Sequence, residues 1–183
     1  YTAARLGGPA QWLYITATDE PPEKIAQVAI AAWDAGLTVR TLGAGANVLV
    51  ADAGLPGLTI INRANRLEEM GEGRLRAASG LSLTALARRC QQAGLAGMEW
   101  AISVPGTVGG AIVNNAGAHG DDMAASVVDA LVLEADRGLQ TWTHADLAFA
   151  YRHSALKARS DRRFVVLAAT LVMQPDDPDA ILT

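Results

Sequence analysis

The chain has 183 residues, half of them hydrophobic and 19% charged, with 15 Lys and Arg against 19 Asp and Glu for a formal net charge of −4. That balance excludes a disordered chain, which needs low hydrophobicity and high net charge. The single cysteine, Cys90, excludes an internal disulfide scaffold, and an acidic total argues against nucleic acid as a partner. Residues 11–16 (QWLYIT) are rich in β-formers and predict a strand. Thr18 or Asp19 then offers a side-chain oxygen as a helix cap, with Pro21 and Pro22 tolerated in the first turn. Ile25, Val28, Ala29 and Ala32 recur at helical spacing, and Gly36 suits the stop. Residues 38–42 read as a strand, 43–47 as a small-residue loop, 48–51 and 58–61 as further strands, giving a β-α-β-β-β outline.

Charged and glycine-containing residues 62–73 read as a junction, which divides the chain into a small lobe, 1–62, and a larger one, 63–176. In the larger lobe, 75–78 reads as a strand, and Ser82 caps a helix whose apolar stripe is Leu83, Leu86, Ala87 and Cys90, ended by Gly94. On that stripe Cys90 is inert core. Residues 127–135 and 139–143 flank Asp136-Arg137-Gly138, a hairpin connection with glycine where a positive φ is wanted. Residues 164–173 form a long apolar strand. Strands and helices do not alternate strictly, so the expected class is α+β. No basic region followed by an apolar run opens the chain, so no signal peptide is expected. The uncharged stretch 100–120 is long enough to span a bilayer, but Pro105, five glycines, Asn114 and Asn115 make it too broken and polar for a lipid-facing helix. The expectation is a reduced cytoplasmic protein with no membrane partner.

Three segments carry candidate chemistry. In Gly43-Ala44-Gly45-Ala46-Asn47 a G-x-G-x-x-G reading fails, because Val48 stands where the third glycine would be and begins a strand-forming run. Successive small residues in such a turn either aim several N–H groups at an anion such as a pyrophosphate or form a tight turn and nothing more. The second segment, Val104-Pro105-Gly106-Thr107-Val108-Gly109-Gly110, continues to Gly120 with little side-chain bulk. It reads as a loop against a flat ligand, Thr107 and nearby amides facing phosphate, particularly if a short helix begins near Gly109, or as a core-crossing loop with buried water. The third is Phe149-Ala150-Tyr151-Arg152-His153-Ser154, where Arg152 among apolar neighbours is expected to be partly buried beside an anionic ligand or a local carboxylate. His119, His144 and His153 lack metal-ligand spacing, and no G-x-S-x-G elbow occurs. Arg159, Arg162 and Arg163, interrupted by Asp161, read as a solvated turn.

Together these segments resemble the UDP-N-acetylenolpyruvoylglucosamine reductase family. The resemblance runs from Arg5-Leu6-Gly7-Gly8-Pro9-Ala10 through 42–50 (LGAGANVLV), 94–110 (GLAGMEWAISVPGTVGG) and 115–120 (NAGAHG) to Tyr151-Arg152-His153-Ser154 and Lys157. It implies a two-lobed FAD-binding fold of the vanillyl-alcohol oxidase (PCMH) type. It implies that residues 43–48, including Val48, and 105–110, namely Pro105, Gly106, Thr107, Gly109 and Gly110, cradle the FAD pyrophosphate. Gly117, His119 and Tyr151 would lie near the flavin, and Arg152 would stabilise charge on the enolpyruvyl group of a nucleotide-sugar substrate. NADPH is the implied hydride donor. Residues 177–183 would begin a C-terminal substrate domain that supplies the proton donor and a glutamate. A flavin-binding module without full reductase activity is the alternative.

Overall fold

A computed structural model describes residues 1–179 and 181. The first sheet is built from β1 (Ala10–Ile15), β2 (Val39–Leu42) and β3 (Leu55–Ile61), parallel and in the order β1-β3-β2, with α1 (Pro22–Asp34) connecting β1 to β2. Register places Tyr14 beside Ile60 and Val39 beside Leu58. Because side chains alternate along a strand, these residues share one face. That face packs on Ile25, Ala26, Ala29 and Ala32 of α1.

Helix α1 starts without the expected cap. Pro21 is the N-cap residue and no side chain bonds to the first turn. A proline at the first helical position has no N–H to satisfy, which lessens the need for a cap. Glu20 instead braces the preceding turn, accepting from Ala17 N at 2.8 Å and Tyr14 OH at 3.0 Å.

Residues 48–51 do not form the expected strand. β2 is an edge strand, so a chain leaving it has no neighbour to pair with. The segment lies against the N-terminal stretch instead, Gly8 N donating to Ala51 O at 2.9 Å, with Leu49 exposed.

The second sheet is antiparallel and five-stranded. Its strands are β4 (Leu67–Gly71), β5 (Arg74–Ala78), β9 (Val127–Glu134), β10 (Gly138–Thr143) and β11 (Phe164–Val172), in the order β10-β9-β11-β5-β4. Short strands β6 (Leu95–Ala96), β7 (Gly117–Ala118), β8 (Asp121–Asp122) and β12 (Gln174–Pro175) lie outside it, as do helices α2 (Leu83–Gln92), α3 (Val108–Asn114), α4 (His144–Leu147) and α5 (Ala155–Ala158). β4 falls inside the stretch read as a junction. Its Glu68 and Glu69 are exposed because it is an edge strand, and charge there discourages pairing with another chain.

β11 is buried on both sides. Val166, Ala169 and Leu171 join the core under α2 and α3, while Val165 and Leu167 join Leu133 and Ala78 against α1. Thus α1 is sandwiched between the two sheets and binds them into one body. In the α2 core Cys90 is buried as expected, and burial, with Glu99 nearby, pushes its thiol up to about 12.

The stretch 100–120, read as a long loop, is mostly folded. It holds a 3-10 turn (Glu99–Ser103), α3 and the β7–β8 hairpin. Gly109 and Gly110 are poor helix formers, but burial of Val108, Ala111 and Ile112 overrides their propensity.

Arg159 also departs from the solvated-turn reading. It is largely buried and pairs with the buried Glu134, which further accepts from Trp142 Nε1 at 3.0 Å, and with Asp161 at 2.7 Å. The expected start of a further domain at 177–183 falls partly on Ala180, Leu182 and Thr183, outside the described residues.

Candidate cofactor site

The end of β2, the end of β3, the β5–α2 turn and the approach to α3 meet around a cleft of about 450 Å³. β2 stops where Asn62 N donates to Leu42 O at 2.8 Å, and the chain then turns at Gly43. A Cβ at Gly43 would overlap the hydroxyl and methyl of Thr107, so the two glycine-rich segments are in direct contact there. Gly43, Ala44 and Thr107 all line the cleft. Gly45 has φ +63 and lies under the N-terminal strap, where a Cβ would come within 2.6 Å of Tyr1 O. Ala3 N donates to Gly45 O at 3.1 Å and fixes that strap. None of the backbone amides of residues 43–48 donates to another described residue. Ala46 and Asn47 are exposed and Val48 is half-buried.

The second segment spends its donors differently. Val108 N donates to Leu81 O at 2.9 Å and Gly109 N to Ser79 O at 2.8 Å, while Gly106 O accepts from Leu83 N at 3.1 Å. Gly109 has no room for a side chain, since a Cβ would sit 2.9 Å from Ser79 Cβ. Gly106, at φ +149, turns the chain in a conformation that side chains rarely adopt. Pro105 and Gly110 are exposed, and Gly110 N makes no bond to another described residue.

Asn62 and Ser79, neither singled out from the sequence, hold this junction. Both are buried; Asn62 Nδ2 donates to Ser79 Oγ at 2.7 Å and Asn62 Oδ1 accepts from Ala64 N at 3.0 Å. The signal was a polar residue directly after an apolar strand.

Gly117, His119, Tyr151 and Arg152 lie outside the cleft lining, toward the other end of α3. Seven residues of helix separate the two ends by about 10 Å. Asn115, in the left-handed region at φ +43, closes α3 and ties two turns together. Its Nδ2 donates to Asp122 at 2.8 Å and to Ala150 O at 3.0 Å, while its Oδ1 accepts from Ala124 N at 3.0 Å. A Cβ at Gly117 would strike Asp121 and Asp122, so only glycine closes this hairpin. His119 is exposed at φ +55.

Arg152 is not partly buried as expected. It is exposed at φ +54, its guanidinium 5.8 Å from the Tyr151 ring centroid, with no ion pair among the described residues. The turn that carries it bulges into solvent because Ala150 and His153 bond to each other across it. Lys157 Nζ pins the turn by donating to Arg152 O at 2.7 Å.

A family model described as FAD binding domain matches residues 15–141, well over half the chain. The chain belongs to the FAD-binding domain family. The UDP-N-acetylenolpyruvoylglucosamine reductase of Synechococcus sp. strain WH7803 is 44% identical, the match covering 100% of this chain and 58% of that protein. That of Caulobacter sp. strain K31 is 36% identical over 99% of this chain and 57% of that protein. The solved UDP-N-acetylenolpyruvylglucosamine reductase (MurB) from Thermus caldophilus superposes with a TM-score of 0.76 at 27% identity, over 93% of this chain and 58% of that one. A solved alkyldihydroxyacetonephosphate synthase shares the fold at 14% identity, with a TM-score of 0.67 over 89% of this chain and 34% of that one. This FAD-binding domain therefore has the α+β PCMH-type fold, and it spans a little over half the length of the curated relatives it matches.

The residues present suit FAD. A cradle with no Cβ at Gly43 and a run of free amides matches a diphosphate, which wants several N–H donors at close range.

Proposed function

We propose that the chain is the FAD-binding part of an NADPH-dependent UDP-N-acetylenolpyruvoylglucosamine reductase, a cytoplasmic enzyme forming a peptidoglycan precursor. One observation carries the reading: the turn with unspent amides at 43–48 touches Thr107 of the second glycine-rich segment across one cleft. In this reading residues 1–62 and 63–176 are two lobes that hold the cofactor between them. Amides 43–48 and the hydroxyl of Thr107 face the pyrophosphate, with Gly106 and Gly109 shaping the backbone that approaches it. Bound there, FAD supplies the hydride relay from NADPH to the enolpyruvyl double bond. Gly117, His119 and Tyr151 border the flavin end.

Arg152 presents a cation with no ion pair among the described residues at the same end of α3, suited to stabilise negative charge as the enolpyruvyl group is reduced. Its exposure fits a site completed by the remaining length found in the relatives, which would bring the nucleotide-sugar, a proton donor and a carboxylate over it. The test mixes apo-chain with FAD, desalts it and measures the flavin retained. Stoichiometric retention is expected, and Arg152→Ala is expected to hold FAD within about twofold of the parent chain. In a full-length reductase carrying this chain, Arg152→Ala should lower turnover about 100-fold or more. A colourless protein with no saturable flavin quenching would overturn the proposal.

A further inference from the structure

The turn that carries Arg152 is held more firmly than an exposed turn needs to be. Arg152 lies in the left-handed region at φ +54, where a Cβ crowds the carbonyl oxygen that follows it. A side chain persists there only when its surroundings over-determine the backbone. Those surroundings reach in from two sides. From α3, the buried Asn115 donates through Nδ2 to Ala150 O at 3.0 Å, and Val113 O accepts from the buried Ser154 Oγ at 2.6 Å. From α5, Lys157 Nζ donates to Arg152 O at 2.7 Å and Lys157 N to Ser154 Oγ at 3.2 Å. Ala150 and His153 complete the frame by bonding to each other, N–H to carbonyl in both directions. Lys157 is the informative member. It forms no ion pair among the described residues, and its ammonium goes to the carbonyl of a residue that is itself cationic. Like charges on one short turn repel, so Lys157 does not balance charge there. What it gives is a fixed position for the Arg152 carbonyl.

Resting on the reading of Arg152 given above, we infer that Lys157 and Asn115 are positioning residues. They lock the Arg152 turn in its left-handed form before substrate arrives, so that only the arginine side chain is left to order. Charge stabilisation is strongest when the stabilising group is already oriented and need not reorganise during the reaction. An arginine loses rotamer freedom when it engages an anion, and a mobile backbone beneath it would add to that loss. Neither Lys157 nor Asn115 needs to touch substrate; both act through Arg152.

The experiment is a double-mutant cycle in a full-length reductase carrying this chain. Lys157→Met, Lys157→Arg and Asn115→Gly are made in the parent and in Arg152→Ala. Glycine at 115 keeps the left-handed backbone, φ +43, without strain and removes only the side-chain bonds. Lys24→Met, at an exposed position of α1, is the control. Thermal melts and flavin titration check the fold and cofactor of each variant. In the parent, Lys157→Met and Asn115→Gly should each lower kcat about tenfold, with flavin affinity within about twofold. In Arg152→Ala the same changes should cost less than about twofold, because the residue they act through is gone. Arginine at 157 keeps a donor and should restore part of the loss. Independently of turnover, Lys157→Met should speed hydrogen exchange at the Ala150 and His153 amides of this chain about tenfold, with the β9 and β11 amides unchanged.

Lys157→Met and Asn115→Gly enzymes that turn over at the parent rate, or that lose the same factor with and without Arg152, would overturn the positioning role and leave the reading of Arg152 intact. Unchanged exchange at Ala150 and His153 in Lys157→Met would overturn it as well. An Arg152→Ala enzyme as fast as the parent would overturn the reading of Arg152 and the positioning with it, so the two failures are read from different variants.

Discussion

In residues 43–48 the backbone amides have no partner within the described chain, and Gly43 lacks a Cβ because Thr107 occupies that space. In residues 105–110 two amides are already committed, those of Val108 and Gly109, and Gly109 lacks a Cβ because Ser79 is close. Both segments are glycine-rich and looked alike in the sequence, yet one uses glycine to keep donors free and the other to let a helix seat against a strand end. The comparison separates binding from packing. Gly43→Ala attacks the point where they touch. The added carbon forces the turns apart, at a cost of about 1–3 kcal/mol in stability and about 100-fold in FAD affinity. Thr107→Gly in the same chain should recover about half of the stability loss, because the overlapping groups are gone. Equilibrium unfolding and flavin titration of the double-mutant cycle measure this. A cycle with no coupling would mean that the two turns do not touch.

A finer contrast lies inside α3. A Cβ at Gly109 would sit 2.9 Å from Ser79 Cβ, whereas one at Gly110 would sit 3.8 Å from Thr107 Oγ1, an ordinary contact. Alanine favours a helix over glycine by about 1 kcal/mol. At Gly110 that gain is expected with little opposing it, so Gly110→Ala should raise stability by about 0.5–1 kcal/mol. At Gly109 crowding outweighs it, and Gly109→Ala should lose about 1 kcal/mol and bind FAD several-fold more weakly as α3 shifts. Thermal or urea unfolding decides the sign. Equal effects at the two positions would show that Gly109 is not a packing glycine.

How far this was legible before the fold was known depends on the range of the forces involved. The stripes Ile25/Val28/Ala29/Ala32 and Leu83/Leu86/Ala87/Cys90 are local patterns, and they are buried as read except for the half-buried Val28. The turn at Gly138 likewise has the positive φ its sequence predicts, +71. Residues 48–51 have a strand's composition but no partner, and partners are a tertiary matter. β4 has an edge strand's charges, which along the sequence look like a junction. A short helix beginning near Gly109 was legible only as a condition, since the glycines at 109 and 110 oppose it and α3 is stabilised by burying Val108, Ala111 and Ile112. Gly43, Ala44 and Thr107 line one cleft, and the glycine-rich segments that carry them stand out in the sequence because a bare backbone leaves a mark there. Asn62 left only the mark of a polar residue directly after an apolar strand and Ser79 none, since the two are joined only when β3 and β5 end side by side. Nothing in the sequence singles out Arg63 and Arg89; that they line a cleft with no carboxylate in its lining is visible only once the fold brings its walls together. Arg152 is exposed and not partly buried, because its apolar sequence neighbours do not cover a turn closed on itself by Ala150 and His153.

The smallest effect is expected where neither turn is involved. Asp161 is held below the ordinary carboxylate range chiefly by its hydrogen bond with Arg159, which also serves the buried Glu134. A carboxyl with a depressed folded-state value contributes stability that is fully present above its unfolded value, near 3.9, and is lost as pH falls through the folded value. The pair is open to water on the Asp161 side, so it is worth at most about 1 kcal/mol. Asp161→Asn should therefore lower stability slightly at pH 7 and by less at pH 3, flattening the acid limb. Flavin affinity at pH 7 should stay within about twofold, unlike the change at Gly43. Glu134 would still hold Arg159, so the loss stays small; an Asp161→Asn chain that also released FAD would mean that the far end of β11 is coupled to the cleft, and the division between packing and binding drawn from the two glycine turns would fail.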